Sequence, residues 1–325
     1  MRNHCIREKL LSQERKLLIS SYFGKAQLIP TPLLKWYIMH GLVVTKIYEV
    51  LEYKRSKCFE EFAKTVSEAR RSGDFDPSQS ILGAIYKLLG NSFYGKMVTN
   101  KRKQTNVVYC TDAQASLKVN DKRFMNMHEI DQDYYEVLQS KRFIKHDLPK
   151  VIAFFVYSDA KLALLNFNHD FILANILPSM VEEVCCDTDS CYYLFARKTL
   201  EMCVRPEKRL AFFESFRNYC PSPACDLHYS TFVKVMVNGQ KWVQPECCKE
   251  RELFDARTPR LFKIEAKGTG IIALNSKTYY MKRGGAFEDK LSSKGLSKSQ
   301  NSLTLGTFSK VLKTGKSSGG AKHRV

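Results

Sequence analysis

A short acidic segment, Asp187-Thr-Asp-Ser190, lies between two runs of strand-forming residues. The full stretch reads Val181-Glu-Glu-Val-Cys-Cys-Asp-Thr-Asp-Ser-Cys-Tyr-Tyr-Leu-Phe195 and predicts a β-hairpin, because turn-favouring residues separate two apolar runs. Such a hairpin places the carboxylates of Asp187 and Asp189 at one turn. Carboxylate oxygens suit Mg²⁺, which binds proteins through one or two carboxylates plus substrate phosphates. Asp and Ser also favour ordinary turns, so the segment alone leaves a plain turn open.

The charge of the chain indicates a polyanionic partner. Its 325 residues include 52 lysines and arginines against 33 aspartates and glutamates, which gives a formal net charge of +19. Cationic side chains that neutralise phosphates gain affinity by releasing condensed counterions, so nucleic acid is the favoured partner class. A basic segment from Lys282 onward contributes part of the excess, but the rest of the chain is basic as well.

Composition and the N-terminal sequence indicate where in the cell the protein is expected. A hydrophobic content of 44% is typical of a globular protein. The sequence has no uninterrupted apolar run of membrane-spanning length, so we expect no membrane partner. The N-terminus lacks the apolar stretch of a secretory signal, so we expect an intracellular protein, with a nuclear or viral replication site as options.

Eleven cysteines are then expected to be reduced thiols rather than a disulfide framework. Two pairs, Cys220 with Cys225 and Cys247 with Cys248, are conceivable zinc ligands. Their spacing is loose, and His228 has no partner at ligand spacing, so ordinary thiols are the favoured interpretation.

The remaining pattern predicts a mixed α+β fold, since helices and strands do not alternate as in a βαβ protein. We expect helices at about 33–40, 57–71 and 78–96, with Ser72-Gly73 as a C-cap of the second. Strands are expected at 42–51 and within 261–282, with short strands within 105–144 and a possible hairpin at 232–243. Residues 151–157 suit a strand or a helix start, residues 159–177 suit a helix, and a disordered tail follows Thr314.

Taken in chain order, the first motif precedes the acidic segment, which is the second, and reads Lys87-Leu-Leu-Gly-Asn-Ser-Phe-Tyr-Gly95. At about 100° per residue, Lys87, Asn91 and Tyr94 fall on one face of a helix, opposite its apolar side. A cation there suits a triphosphate, and a phenol one turn onward suits a sugar or a base. On this pattern alone, an amphipathic surface helix with a solvated polar face is the favoured interpretation.

A third motif reads Leu274-Asn-Ser-Lys-Thr-Tyr-Tyr280 and is followed by Lys290-Leu-Ser-Ser-Lys-Gly295. On a strand, Lys277 and Tyr279 share one face and can hold a phosphate and a sugar together. The alternative is an ordinary edge strand with a charged exposed face.

In their order along the chain, the three segments resemble the motifs of family B DNA polymerases: a K-x-x-x-N-S-x-Y-G fingers helix, a Y-x-D-T-D-S palm hairpin and a K-x-Y strand. The first motif is matched in full, the second by Asp187 to Ser190, and the third by Lys277 and Tyr279. The segment from His40 to the 57–71 helix resembles the protein-primed branch of organelles, viruses and Polinton/Maverick-like transposons, as does Ser293-Lys-Gly-Leu-Ser297. The likeness spans about residues 33–312.

The resemblance implies a DNA-directed DNA polymerase that uses two Mg²⁺ ions, dNTPs and primer-template DNA, with a terminal protein as an optional primer. Asp189 and Asp187 would be catalytic and hold the metal. The other implied roles are nucleotide binding by Lys87, Asn91, Ser92 and Tyr94, and primer or DNA binding by Lys277, Tyr279 and Lys294. Tyr94 would also crowd a 2′-hydroxyl.

The resemblance also implies an architecture. An antiparallel palm sheet would bear the acidic turn, with helical fingers and a small thumb. The expected divisions are a lead-in at 1–54, fingers at 55–100, palm with an insertion at 101–255, a primer-gripping strand and thumb at 256–313, and a disordered basic tail at 314–325.

Three departures from the family pattern bear on activity. Such polymerases carry another aspartate in a D-x-x-S-L-Y-P strand before the fingers, whereas the first aspartate here is Asp74, too late and in the wrong context. No 3′–5′ exonuclease segment precedes it, and Cys185 stands where the palm motif has Tyr. We therefore expect a truncated copy with weak or no polymerisation. The alternative is an inactive DNA-binding remnant, and an unrelated basic scaffold protein ranks behind both.

Overall fold

A computed structural model of the chain describes residues 24–54, 56–275, 277–285, 287–293, 296 and 300–316. The chain divides into two units, Met1–Lys54 and Arg55–Val325. The described part of the first unit holds one helix, α1 (Thr31–Met39), which begins after Pro30 and overlaps the helix predicted at about 33–40. Residues 42–51 are not a strand, because no described segment forms a ladder with them. That strand prediction was wrong: β-branched composition alone does not make a strand without a pairing partner.

The second unit contains the remaining elements and begins with two long helices. Its helices and strands follow in chain order: α2 (Glu60–Phe75), α3 (Ser80–Met97), β1 (Thr105–Thr111), α4 (Asp112–Val119), β2 (Phe124–Asp131), β3 (Tyr134–Ser140), α5 (Lys150–Leu165), β4 (Val181–Asp187), β5 (Ser190–Phe195), α6 (Arg209–Ser215), α7 (Tyr229–Val237), α8 (Glu246–Asp255), β6 (Gly270–Asn275), β7 (Thr278–Lys282), β8 (Lys290–Ser293) and α9 (Leu305–Thr314). These elements make an α+β fold with three small antiparallel sheets.

Helices α2 and α3 form a hairpin whose crossing point is set by glycines. A Cβ on Gly73 would lie 3.1 Å from the Cα of Gly83 and 3.1 Å from the carbonyl oxygen of Gln79. The two backbones approach this closely only because neither glycine carries a side chain. The sequence predicted Ser72-Gly73 as a C-cap, and that prediction was wrong. Helix α2 continues to Phe75, and Asp76 is its C-cap.

The first sheet has the order β1-β3-β2 and follows the helical hairpin. Its central strand β3 pairs along its whole length with β1, from Thr105 opposite Ser140 to Thr111 opposite Tyr134. Helix α4 packs on it, and Val137, Ala115 and Cys110 form a small buried cluster. This agrees with the short strands predicted within residues 105–144.

The main core lies around the helix that starts at Lys150. Helix α5 continues as a π-helical segment, Asn166–Leu173, so the second interpretation of residues 151–157, a helix start, is the correct one. Phe171 from this segment is fully buried and stacks at 4.6 Å on both Phe212 and Tyr219. Burial of each such ring stabilises the fold by about 1.5–3 kcal/mol.

The first half of residues 232–243 enters this core as part of a helix, Tyr229–Val237, and the rest forms no strand, so the predicted hairpin was wrong. Phe232 and Val233 of α7 are buried in the aromatic cluster. Burial of one helical face outweighs the strand preference of the valines in Tyr229–Val237, because strand propensity depends strongly on context.

The segment Lys150–Leu173, 24 residues long, is also apolar and long enough to cross a membrane by length and composition alone. The core helix of a water-soluble protein passes the same test, so this feature decides nothing about a membrane.

The second sheet is the hairpin β4–β5, and the third has the order β6-β7-β8. Helix α9 packs against the third sheet, where Phe308 lies 5.8 Å from the ring of Tyr280. Thr304 and Thr307 form a capping box at the start of α9, and Gly315 ends it with φ +65°.

Candidate functional site

The acidic hairpin predicted from sequence is present, with Asp187 paired to Ser190 across a two-residue turn. Thr188 has φ +61°, an unusual conformation for a β-branched residue. The Ser190 hydroxyl donates to the Asp187 carbonyl at 3.2 Å, and the Asp189 N–H donates to the same oxygen at 2.7 Å. These bonds fix the turn and leave the carboxylate of Asp189 exposed.

The hairpin is anchored to the helical core through Asn168 of the π-helical segment. The Asn168 amide donates to Glu183 Oε2 at 2.7 Å, and its oxygen accepts from the Tyr193 hydroxyl at 2.8 Å. One side chain thereby binds both strands. Because π-helical segments often accompany functional sites, their presence here agrees with a positioned turn.

A second turn, between β6 and β7, meets the acidic one. Lys277 lies in this turn with φ +62°. Its Nζ is 3.0 Å from Asp187 Oδ1 and donates to Thr188 Oγ1 at 3.3 Å. Lys277 and Thr188 are 89 residues apart in the chain, so the third motif is folded directly against the second.

A pair of tyrosines lies beside the two turns. The Tyr192 hydroxyl donates to the Tyr279 hydroxyl at 2.7 Å, and the two ring centroids are 4.8 Å apart. Burial, together with this hydrogen bond, raises the pKa of the Tyr192 phenol above its usual range. Burial and the nearby Asp187 carboxylate raise the pKa of the Cys185 thiol, so both groups stay protonated at neutral pH.

Helix α3 brings residues of the first motif to the same place. Tyr94 packs edge-on against Tyr157 of α5, with ring centroids 4.8 Å apart. Its hydroxyl is buried, and no described residue accepts or donates a hydrogen bond to it. Buried polar groups are nearly always paired, so an unpaired hydroxyl at this position is unusual.

The three motifs line one open cleft of about 500 Å³, a volume in the range of small-molecule sites. Its walls are formed by Asn91, Tyr94, Asp187, Thr188, Asp189, Ser190, Tyr192, Glu265, Lys277, Tyr279 and Lys290. Sequence analysis gave no role to Tyr192, Glu265 or Lys290. Glu265 lies 3.6 Å from Lys290. Glu265 belongs to no recognisable pattern, whereas Lys290 opens the segment that follows the third motif.

Two of the predicted site residues are described by the structure but are not in this cleft wall, and a third cannot be placed. Lys87 and Ser92 are exposed on α3 but do not line the cleft. Lys294 lies outside the described residues. The roles assigned to these three residues remain predictions.

The acidic turn presents two carboxylates to the cleft. Asp187 and Asp189 offer the oxygen donors that Mg²⁺ prefers, and they line a cleft that has room for a substrate. Two groups of described residues bring at least three ligand atoms within 4.8 Å of one another, and neither group includes this pair. Among the described residues, the acidic turn thus offers a carboxylate pair that lines the cleft and not a closed set of protein ligands.

Compared with known proteins, the chain matches no family model, no curated protein and no solved structure. The likeness to family B polymerases therefore rests on the three motifs and on how the chain arranges them.

Proposed function

We propose that the cleft is the nucleotide and primer site of a DNA-directed DNA polymerase of the protein-primed family B type. One observation carries this proposal: three segments that are far apart in the chain, each carrying one of the motifs, contribute residues to a single cleft. Each motif taken alone suggests an ordinary surface feature. Three unrelated surface features would not be expected to line the same cleft.

In this proposal each wall of the cleft has a task. Asn91 and Tyr94 receive the sugar and base of the incoming nucleotide, and Lys277 and Tyr279 hold the primer terminus. Asp187 and Asp189 would hold Mg²⁺, which supplies charge neutralisation and activation of the primer hydroxyl in phosphoryl transfer. The pair of tyrosine hydroxyls, Tyr192 and Tyr279, fixes the orientation of the primer-side wall.

The subdomain divisions follow from the same proposal. The α2–α3 hairpin corresponds to fingers at 55–100, the β4–β5 hairpin to the centre of a palm at 101–255, and the third sheet with α9 to the primer-gripping strand and thumb at 256–313. The net charge of +19 supports a DNA partner for this assembly.

A second candidate is a protein that binds primer-template DNA without catalysis. It is favoured by the ion pair between Lys277 and Asp187, which engages one of the two carboxylates. A two-ion mechanism places two cations about 4 Å apart between the attacking and leaving oxygens, and one carboxylate pair is a small ligand set for that charge.

Primer extension tests the proposal directly. The purified chain is supplied with a primed DNA template, Mg²⁺ and dNTPs, beside Asp189→Asn and the control Asp133→Asn. Asp133 lies in the β2–β3 turn with φ +58°, so the control makes the same change in an exposed turn outside the cleft. Extension that persists in the control and disappears in Asp189→Asn supports the polymerase.

Binding to the same primer-template, measured by fluorescence anisotropy over a salt series, separates the two candidates. Salt-sensitive binding without extension favours the non-catalytic protein. The absence of both extension and salt-sensitive binding would contradict both candidates.

A further inference from the structure

Four sulfur and nitrogen ligand atoms meet at one point outside the cleft. Cys225 and His228 come from the loop before α7, and Cys247 and Cys248 come from the first turn of α8. The fourth conceivable cysteine, Cys220, is buried elsewhere in the core and is not part of the group. The structure therefore brings together three of the thiols considered in the sequence and adds the histidine that had no partner there.

The distances within this Cys/His cluster are those of a tetrahedron. The three Sγ–Sγ separations are 3.8, 3.8 and 4.0 Å. The three separations from Sγ to His228 Nδ1 are 3.1, 3.6 and 3.6 Å. Zinc bonds of about 2.3 Å to sulfur and about 2.0–2.1 Å to nitrogen require tetrahedral edges of about 3.8 Å and about 3.6 Å. Five of the six edges agree within 0.2 Å, and the sixth is the short contact between Cys225 and His228.

A disulfide does not explain this arrangement. The sulfur atoms are at least 3.8 Å apart, whereas a disulfide bond is about 2.05 Å long. Adjacent hydrogen-bonded thiols do not require four ligands to be equidistant either. A four-coordinate ion at the centre accounts for five of the six separations at once.

The surroundings suit thiolates. The backbone N–H of Cys225 points to Cys248 Sγ at 3.4 Å, a contact that stabilises a metal-bound sulfur. Cys247 and Cys248 occupy the N-terminal turn of α8, where the helix dipole favours negative charge. Cys248 is fully buried, and Cys225 and His228 are half-buried, so most of the cluster is shielded from solvent.

We propose that Cys225, His228, Cys247 and Cys248 bind one structural Zn²⁺ ion. Three thiolates and an imidazole in tetrahedral array are the donor set of a closed zinc site, and the soft sulfur ligands exclude Mg²⁺ and Ca²⁺. Because all four positions are taken by protein, the ion has no open position for water or substrate and acts as a cross-link.

The cross-link ties the loop before α7 to the start of α8. The same two segments also meet through the Trp242 indole and the Gln244 amide, which both donate to the Pro223 carbonyl at 3.1 Å. The far end of α8 receives Arg71 from α2, whose guanidinium lies 3.8 Å from the Phe254 ring centroid and bonds the Phe254 carbonyl. The ion thus orients a helix on which the α2–α3 hairpin rests, whatever reaction the cleft performs.

Metal analysis of the intact chain is the first test. The chain is expressed in zinc-supplemented medium, purified under reducing conditions and measured by mass spectrometry of metals, with an expected content of about one zinc per chain. Replacement by Co²⁺ should give the visible absorption bands and the sulfur-to-cobalt charge-transfer band of a tetrahedral thiolate site. Absence of both zinc and the tetrahedral cobalt spectrum would overturn the proposal.

Variants locate the ion. Cys247→Ser and His228→Ala should each lose zinc or bind it at least tenfold more weakly, whereas Cys58→Ser, which removes an exposed thiol outside the cluster, should keep it. A chelator should lower the melting temperature of wild type and of Cys58→Ser, but not that of Cys247→Ser. Zinc that survives both cluster substitutions would place the ion elsewhere and refute the assignment. If a variant fails to fold, the cobalt spectrum of the wild-type chain still decides the question.

Discussion

Lys277 Nζ lies 3.0 Å from Asp187 Oδ1 and joins the tips of two hairpins that are distant in the sequence. Both tips contain a non-glycine residue in left-handed backbone, Thr188 at φ +61° and Lys277 at φ +62°. Such conformations cost about 1–3 kcal/mol each and persist where the surroundings impose them. The ion pair and the hydrogen bond from Lys277 to Thr188 supply part of that constraint, so one lysine serves both the geometry and the charge of the cleft.

Replacing Lys277 should weaken DNA binding through the loss of one phosphate contact. We expect Lys277→Met to bind primer-template roughly tenfold more weakly and to lower the slope of log affinity against log salt by about one. Lys241→Met, at an exposed position between α7 and α8, is the matched control and should change neither quantity. Fluorescence anisotropy over a salt series measures both. An unchanged salt slope in a folded Lys277→Met variant would show that this lysine does not contact a phosphate.

The unpaired hydroxyl of Tyr94 gives a prediction about stability. Tyr94→Phe should leave the free energy of unfolding unchanged or raise it slightly, because no hydrogen bond within the described residues is lost. Tyr229→Phe is the contrasting variant: its hydroxyl donates to the Phe213 carbonyl at 2.7 Å and accepts from the Arg217 N–H at 3.1 Å. That change should cost about 1–2 kcal/mol. Urea denaturation compares the two, and equal losses would mean that Tyr94 has an internal partner.

Two glycines of the helical hairpin should respond in opposite directions to alanine. A Cβ at Gly73 meets backbone atoms at 3.1 Å, so Gly73→Ala should destabilise the chain by about 1–3 kcal/mol. A Cβ at Gly95 meets nothing within 4 Å, so Gly95→Ala should stabilise α3 by about 1 kcal/mol. Thermal or urea unfolding measures both changes.

Gly95 belongs to the first motif, which makes its open surroundings informative. No contact within the described residues requires a glycine at this helical position. A molecule that approaches the backbone closely would require one, because glycine has no side chain. Gly95→Ala should then weaken primer-template binding while raising stability. Binding at the wild-type level would show that no ligand approaches Gly95.

The acidic hairpin and the helix of the first motif form where the sequence predicts them. The hairpin is a local signal, because turn-favouring residues separate two strand-forming runs. Helix α3, by contrast, exposes residues of its predicted apolar side, such as Ile81 and Leu88, so its pattern does not reveal what it packs against. The strand at 42–51 and the hairpin at 232–243 were wrong, since strand formation depends on partners that composition does not reveal. Gly73 was taken for a helix end because a crossing glycine and a capping glycine look the same in sequence.

Other parts of the site had no sequence pattern to find. Glu265 lines the cleft from a segment between the second and third motifs, and Lys290 lines it from the segment that follows the third motif. The Cys/His cluster was disfavoured because the spacing of its cysteines is loose and His228 has no partner at ligand spacing in the sequence. Only the first turn of α8 brings the thiols of Cys247 and Cys248 to one point.

The link between α2 and the end of α8 should be sensitive to acid. Arg257 donates to the Asp74 carboxylate, and this bond holds the pKa of Asp74 below its usual value, which is about 3.9 in an unfolded chain. A carboxyl group with a lowered folded pKa stabilises the fold above the unfolded pKa and loses that contribution as pH falls through the folded pKa. The side chain of Asp74 is 36% exposed, so solvent screening limits the contribution to less than about 1 kcal/mol.

Asp74→Asn should therefore be slightly less stable than wild type at neutral pH and equal to it in acid below the folded pKa, where Asp74 itself is uncharged. Arg257→Gln should cause a similar loss at neutral pH, and the double variant should lose little more than either single one, because the two residues share one interaction. Urea denaturation at several pH values gives all four free energies of unfolding. Strictly additive losses, or a difference between wild type and Asp74→Asn that does not shrink in acid, would contradict the ion pair as the source of the effect.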